Sequence, residues 1–99
     1  MHDDTGSRYQ TANQALGALA RLPVEPGWEV SVAPELVRWT RPVKSRLQIV
    51  EWKRISQRKH EWTAWSEPLG NGQKKTLGGS KGVVGGAAAV RQLEDYFAA

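Results

Sequence analysis

The chain has 99 residues and a net charge of +4, with 39% hydrophobic residues, 24% charged residues and no cysteine. These values predict one small globular domain and exclude a disulfide framework or a thiolate metal site, which suits a reducing, cytoplasmic compartment. No apolar run reaches the roughly 20 residues that span a bilayer, and the acidic start "MHDDTGSRYQ" is unlike a signal peptide, so we expect no membrane partner.

The first predicted elements are a tail and a short helix. We expect residues 1–8 to form a flexible tail and residues 9–99 to form a single α+β domain. In "TANQALGALARLP", small and apolar residues recur at helical spacing. Thr11 and Gln14 fit a capping box at the start of this helix, and Pro23 ends it.

From Trp28 onward the apolar residues recur with a period of two, which predicts β-strands. In chain order the candidate strands are "WEVSV", "ELVRWTR", "RLQIVEWKRIS", "EWTAWSE" and "QKKTL", with turns at "PVKS", "QRKH" and "PLGNG". We expect "QKKTL" at an edge of the sheet, because paired lysines deter edge-to-edge aggregation. The pattern predicts an antiparallel sheet of three to four strands.

A C-terminal helix, packed on the sheet, completes the predicted α+β fold. Its expected apolar face consists of Val83, Ala87, Val90, Leu93 and Phe97. Gly85 and Gly86 each weaken a helix by roughly 1 kcal/mol, for which a close approach of the helix to the sheet would compensate.

The stretch "EWKRISQRKHEWTAWSEP" determines how the two faces of the sheet are used. A symmetric "QRKH" loop would place Trp52 opposite Trp65 and Ile55 opposite Trp62. One face would then carry Trp52, Arg54, Thr63 and Trp65, and the other Leu47, Ile49, Ile55, Trp62 and Ala64. We expect the second face to be the core, with Trp62 buried and Trp65 more exposed. The first face either contacts a ligand or forms a second small core under the N-terminal helix.

Charge is concentrated in the middle of the chain. Residues 38–81 hold eleven Lys or Arg and three Glu, whereas both flanking segments are mildly acidic. Such a field favours polyanions, with nucleic acid before acidic proteins or anionic lipids. A hairpin that combines cations with indoles suits duplex DNA, and we expect the "QRKH" tip and "QKKT" to lie on one surface. The predicted nucleic-acid contacts are Arg54, Arg58, Lys59, Lys74, Lys75, Lys81, Trp52 and Trp65.

No arrangement of residues predicts catalysis, a cofactor or a metal site. The two histidines, His2 and His60, lie far apart in the chain, and the glutamates of the basic segment have Lys or Arg neighbours. "GGSKG" does not complete the phosphate-binding pattern GxxxxGK(S/T), so ATP binding is not expected. A backbone phosphate beside Ser80 and Lys81, at the start of the last helix, is still compatible with the sequence.

"EWTAWSEPLGNGQKKTLGGS", followed by a small-residue helix ending in "QLEDYFAA", resembles three-stranded-sheet (βββα) DNA-binding domains. These include the plant ethylene-response-factor type and the arm-type-site-binding domains of phage integrases. Comparable positions within residues 46–98 are Trp62, Ala64, Pro68, Gly72, Leu77, Gly78, Ala87, Ala88 and Tyr96. The helix start "GSKGVVGG" departs from that family. The resemblance implies a small regulatory or accessory factor that binds duplex DNA.

Two other functions fit the same residues. A weaker resemblance to double-stranded-RNA-binding domains rests on Ser80, Lys81, Ala87 and Ala88, and it implies recognition of duplex RNA by shape. Alternatively, a protein-interaction module, such as a phage-type inhibitor of a host enzyme, would dock its basic, tryptophan-rich face on an acidic partner protein. Interfaces between proteins also favour Trp, Tyr and Arg, so residue types do not separate these functions.

Overall fold

The structure is a computed structural model that describes residues 12–22 and 26–99. Its elements are α1 (Ala12–Ala20), β1 (Glu29–Ala33), β2 (Leu36–Val43), β3 (Arg46–Ser56), β4 (Lys59–Pro68), β5 (Lys75–Gly79) and α2 (Gly86–Ala98). The predicted α+β class is confirmed, with five strands rather than three or four. The predicted tail at residues 1–8, the Thr11 cap and Pro23 lie outside the described residues.

The five strands pair in chain order as an antiparallel meander. β3 and β4 form the long central hairpin, because both are rich in β-branched and aromatic residues that suit a pleated surface. β5 lies at one edge, as the sequence predicts for "QKKTL", and β1 lies at the other. No helix in the described part of the chain is long and apolar enough to cross a membrane.

Both helices pack on one face of this sheet, and the core lies between them and the strands. The sheet contributes Val37, Trp39, Val50, Trp52, Trp62 and Ala64, and the helical side contributes Ala15, Leu19, Leu22, Ala89, Val90 and Leu93. The three buried indoles supply much of the apolar area that so short a chain can bury. The opposite face of the sheet, here called the outer face, is not covered by either helix.

The predicted distribution of side chains between the faces is wrong at the β3–β4 hairpin. Its turn has only two residues between the strands, and the register shifts between Arg54 and Ser56. Trp52 therefore pairs with Trp62, and Ile49 pairs with Trp65. An odd shift in pairing moves a side chain to the other face, so Trp52 joins the core under the helices, whereas Ile49 is buried on the outer face.

Other parts of the core prediction hold. Trp62 is buried at 6% exposure and Trp65 is only partly buried, as the sequence predicts. Leu47, however, shares the outer face with Ile49 rather than the core face with Trp62, and Ile55, unpaired at the register shift, is 49% exposed.

Gly85 and Gly86 lie at the start of α2, where Gly86 is the first helical residue and is buried. Gly85 is the N-cap of α2, and a Cβ atom built on it would meet nothing within 4 Å, so the expected close approach is wrong at this position. Such an approach occurs at Gly78, where a Cβ would lie 3.4 Å from the Tyr96 ring and 3.7 Å from the Trp62 ring. Val83, expected on the apolar face of the helix, precedes α2 and is exposed.

Candidate nucleic-acid interface

The meander separates the predicted cations into two groups. Alternate turns of a meander lie at the same end of the sheet, so the β1–β2 and β3–β4 turns share one end, and the β2–β3 and β4–β5 connections share the other. The tip cluster is Arg54, Arg58 and Lys59, and the turn cluster is Lys44, Arg46, Lys74 and Lys75. Along β4, Lys59 lies about 24 Å from Ser66, the strand partner of Lys75. The expectation that "QRKH" and "QKKT" lie on one surface is therefore wrong, because they lie at opposite ends of the sheet.

In the tip cluster, one cation is compensated and two are not. Arg54 donates from its guanidinium to the Glu35 carboxylate at 3.1 Å, and its backbone N–H donates to the Glu35 carbonyl at 2.9 Å. Glu35 reaches Arg54 because the β1–β2 turn lies at this end of the sheet. Arg58 and Lys59 are exposed, and neither forms an ion pair with a described residue. Arg54, predicted to contact phosphate, is therefore the cation of this cluster with a carboxylate partner.

A buried histidine anchors the tip to the core. His60 has no exposed surface, and its Nδ1 accepts a hydrogen bond of 3.1 Å from the Trp52 indole N–H. Since an indole N–H can only donate, the neutral ring carries its proton on Nε2, which faces the Gln57 carbonyl oxygen at 3.3 Å. Burial lowers the pKa of His60, and the nearby Arg54 charge lowers it further, against the raising effect of the Gln57 carbonyl.

Trp52 is consequently not part of any surface. Its side chain is fully buried, so the predicted apolar contact between Trp52 and nucleic acid is wrong. The shorter turn and the bulge in the hairpin are the cause, since they place Trp52 on the helix-covered face.

The turn cluster is assembled by hydrogen bonds between two connections. The Arg46 guanidinium donates to the Ser66 hydroxyl at 3.0 Å, to the Ser66 carbonyl at 3.2 Å and to the Gln73 carbonyl at 3.0 Å. The Leu69 N–H donates to the Ser45 carbonyl at 3.0 Å, which joins the β4–β5 connection to the β2–β3 turn. These bonds bring the segments that carry Lys44, Lys74 and Lys75 to one end of the sheet.

Trp65 lies beside this cluster on the outer face. The Lys74 ammonium lies 4.9 Å from the centre of the Trp65 ring, a cation–π distance, and the indole N–H donates to Glu67 at 2.8 Å. Trp65 is thus held on both its ring and its polar edge, and it orients Lys74. Lys44 and Lys75 are exposed and form no ion pair with a described residue.

The sequence reasoning missed Lys44 and Arg46. A signal was present, because "PVKS" and "PLGNG" are alternate turns of the predicted meander and must fall at the same end of the sheet. Lys81, a predicted contact, belongs to neither cluster: it is exposed in the connection between β5 and α2.

Between the two ends, the outer face carries little net charge. The Arg38 guanidinium donates to the Glu51 carboxylate at 2.9 Å, and Lys53 is the strand partner of Glu61. The uncompensated positive charge is therefore at the ends of the sheet and not at its centre.

Among the described residues, no group of three His, Asp or Glu side chains is arranged to hold a metal ion. Comparison of the chain with family models, with curated proteins and with solved structures gave no match. A function for this protein follows only from the geometry and chemistry of its own residues.

Proposed function

We propose that the protein is a non-catalytic nucleic-acid-binding protein that binds duplex DNA through the cations at both ends of its sheet. The spacing of the tip and turn clusters supports the proposal. β3 joins the two ends, and its 11 residues, Arg46–Ser56, span about 34 Å at roughly 3.4 Å per residue. The cations of the two clusters therefore range from about 24 Å apart, for Lys59 and Lys75, to about 34 Å apart, for Arg58 and Lys44 in the turns beyond the ends of β3. One turn of B-DNA is about 34 Å long, so the outermost cations, Arg58 and Lys44, match phosphates that recur on one side of the duplex, and the inner ones lie within that turn.

Five cations without an ion-pair partner among the described residues are available for this contact: Arg58, Lys59, Lys44, Lys74 and Lys75. Each phosphate that a cation neutralises releases counterions and contributes about −0.9 to the slope of log K against log salt. Five contacts therefore predict a slope of about −4 to −5. Arg54 adds less, because Glu35 already compensates its charge.

The proposal favours a duplex over a single strand because the two clusters are held a fixed distance apart by a rigid hairpin. A flexible strand gains nothing from that spacing, whereas a duplex presents its phosphates at the required interval. Binding of duplex RNA is the alternative outcome, since A-form grooves arrange the phosphates differently.

The test is a titration of the protein with random-sequence DNA duplexes of 8 and 20 base pairs, a 20-base-pair RNA duplex and single strands, each at several salt concentrations. The 20-base-pair DNA duplex should bind most tightly, with the full salt slope. The 8-base-pair duplex is shorter than one helical turn, so it cannot reach Arg58 and Lys44 together and should show a smaller slope.

Charge-removal variants test the two clusters separately. Arg58→Ala with Lys59→Ala, and Lys44→Ala with Lys75→Ala, should each lower the salt slope by about two units. The matched control is Arg21→Ala with Arg91→Ala, which removes the same charge from exposed positions outside both clusters and should leave the slope unchanged. If both cluster variants bind duplex DNA like the unchanged protein, the cations are only a solvated surface, and an acidic partner protein replaces DNA as the proposed ligand.

A further inference from the structure

A groove open to solvent lies between β5 and α2, with a volume of about 580 Å³. Its lining includes two aromatic rings, an aliphatic side chain, an amide and two opposite charges: Trp62, Tyr96, Val84, Gln92, Lys81 and Asp95. The cations proposed to contact DNA do not line this groove.

Two glycines of β5 keep the groove open. Gly78 and Gly79 line it without side chains, and a Cβ at Gly78 would already touch the rings of Tyr96 and Trp62. Any larger side chain at position 78 would fill the space above these rings. Because Gly78 has no side chain, the rings of Trp62 and Tyr96 stay accessible from the groove.

The strand that borders the groove lies at an edge of the sheet. β5 is the last strand of the sheet, and its far edge pairs with no strand in the described part of the chain. The exposed apolar residues Leu77 and Val83 lie on β5 and just after it. An unpaired edge flanked by exposed apolar side chains is ready to accept another extended segment.

The polar groups of the groove define what such a segment would carry. The Gln92 side-chain oxygen accepts a 2.8 Å hydrogen bond from the Trp62 indole, so the amide N–H groups of Gln92 remain available as donors. Lys81 lies beyond the end of β5 in the chain. Asp95 is next to Tyr96, whose ring lies 3.4 Å from the Cβ position of Gly78 inside β5. The groove therefore offers a positive group beyond the end of β5 and a negative group along its length.

We propose that this groove binds an extended peptide segment of a partner protein, which adds to the free edge of β5. One apolar side chain of the peptide lies over Trp62 and Tyr96, an acidic residue lies near Lys81, and a basic residue lies near Asp95. Main-chain hydrogen bonds to the strand supply affinity, and the groove supplies specificity. This assigns Lys81 to a protein ligand rather than to nucleic acid, and the site can succeed or fail independently of DNA binding.

The probes are capped nonapeptides of Ser and Thr with a central Leu, Phe or Ala, each made with Asp and Lys flanking the centre in both orders. Binding is followed by amide resonances of residues 77–79, their hydrogen exchange, and the Trp62 indole N–H resonance in the full chain. The Leu and Phe peptides should shift these resonances and slow exchange at the β5 edge. The Ala peptides should bind about tenfold more weakly, because less apolar area is buried.

Variants of the groove test the contacts directly. Gly78→Val should weaken binding of the Leu peptide at least tenfold, whereas the control Gly70→Val, at a position where a Cβ meets nothing within 4 Å, should not. Lys81→Glu combined with Asp95→Lys should reverse the preferred order of the Asp and Lys flanks, a change of about fivefold. If Gly78→Val disturbs the sheet, this charge exchange still tests the proposed peptide binding.

Three results would overturn the proposal. The first is that no Leu or Phe peptide shifts residues 77–79 or the Trp62 indole at millimolar concentration. The second is that the charge exchange leaves the preference for the flanks unchanged. The third is that duplex DNA, rather than the peptides, shifts these resonances, in which case the groove belongs to the nucleic-acid surface.

Discussion

The two ends of the sheet carry similar numbers of cations but hold them in different ways. At the tip end, Arg54 is paired with Glu35, and the strand below the tip is anchored by the buried His60. At the turn end, Arg46 is used to fasten two connections together, and the lysines around it have no carboxylate partner among the described residues. Both ends present cations without an ion-pair partner among the described residues, but the tip end is tied to the core by His60, whereas the turn end is fastened by Arg46.

The difference shows how a meander distributes charge. At the tip end, Glu35 in the β1–β2 turn compensates Arg54 near the end of β3. The β2–β3 and β4–β5 connections, "KS" and "LGNGQK", contain no acid. Charge density in the sequence thus says less about a binding surface than the order in which turns meet at an end of the sheet.

The largest expected effect is a difference in stability loss between a tryptophan near the tip end and one near the turn end. Trp52→Ala removes a fully buried indole near the tip end and should lower the free energy of unfolding by about 3–5 kcal/mol. Trp65→Ala, at a partly buried position on the outer face, should lower it by about 1–2 kcal/mol. Urea denaturation measures both values, and equal losses would contradict the assignment of the two faces.

An intermediate effect concerns the anchor of the tip. His60→Ala leaves the buried Trp52 N–H without an acceptor and should cost about 1–3 kcal/mol at neutral pH. In the unchanged protein, the pKa of His60 is lowered by burial and by Arg54, so the unfolded chain binds a proton more readily. Its contribution to stability should be complete above pH 6.5, the ordinary pKa of histidine, and decline as the pH falls below it.

Acid titration of stability checks this contribution. His60→Gln can still accept from the Trp52 indole but does not titrate, so it should lose the part of the acid dependence that His60 causes. Protection factors near Lys59 should fall below pH 6.5 more than those near Ser66, which is remote from the histidine along β4. A His60→Gln protein with the same pH dependence as the unchanged protein would show that the anchor does not titrate.

The smallest expected effect is a change in the salt slope of DNA binding when the Arg54–Glu35 ion pair at the tip end is removed. Glu35→Gln frees Arg54 from its carboxylate, so the tip end should gain about one phosphate contact and the salt slope for duplex DNA should steepen by about one unit. Stability should change by less than about 1 kcal/mol, because the ion pair is solvent-exposed. The control Glu94→Gln makes the same charge change on α2 and should leave the slope as it is. Identical slopes for the two variants would mean that Glu35 does not limit the tip.

Much of the fold follows from local patterns in the sequence. The period of two in the middle of the chain and the period of a helix at its ends determine the α+β class and the order of the elements. Turn residues and paired lysines place "QKKTL" at an edge, and the alternation in "EWTAWSE" puts Trp62 and Trp65 on opposite faces. These features depend on residues close together in the chain, so a single sequence is sufficient to predict them.

The candidate interface depended on pairing across strands, which local patterns do not contain. A two-residue turn and a bulge set the β3–β4 register, and the resulting odd shift buries Trp52 and moves Ile49 to the outer face. Likewise, only the packed meander brings Arg46 to Ser66 and Gln73, and Arg54 to Glu35. The sequence alone determined which residues are charged and which segments are strands. The tertiary structure decided which charges meet, because a register that differs by one residue reverses the face of every side chain that follows.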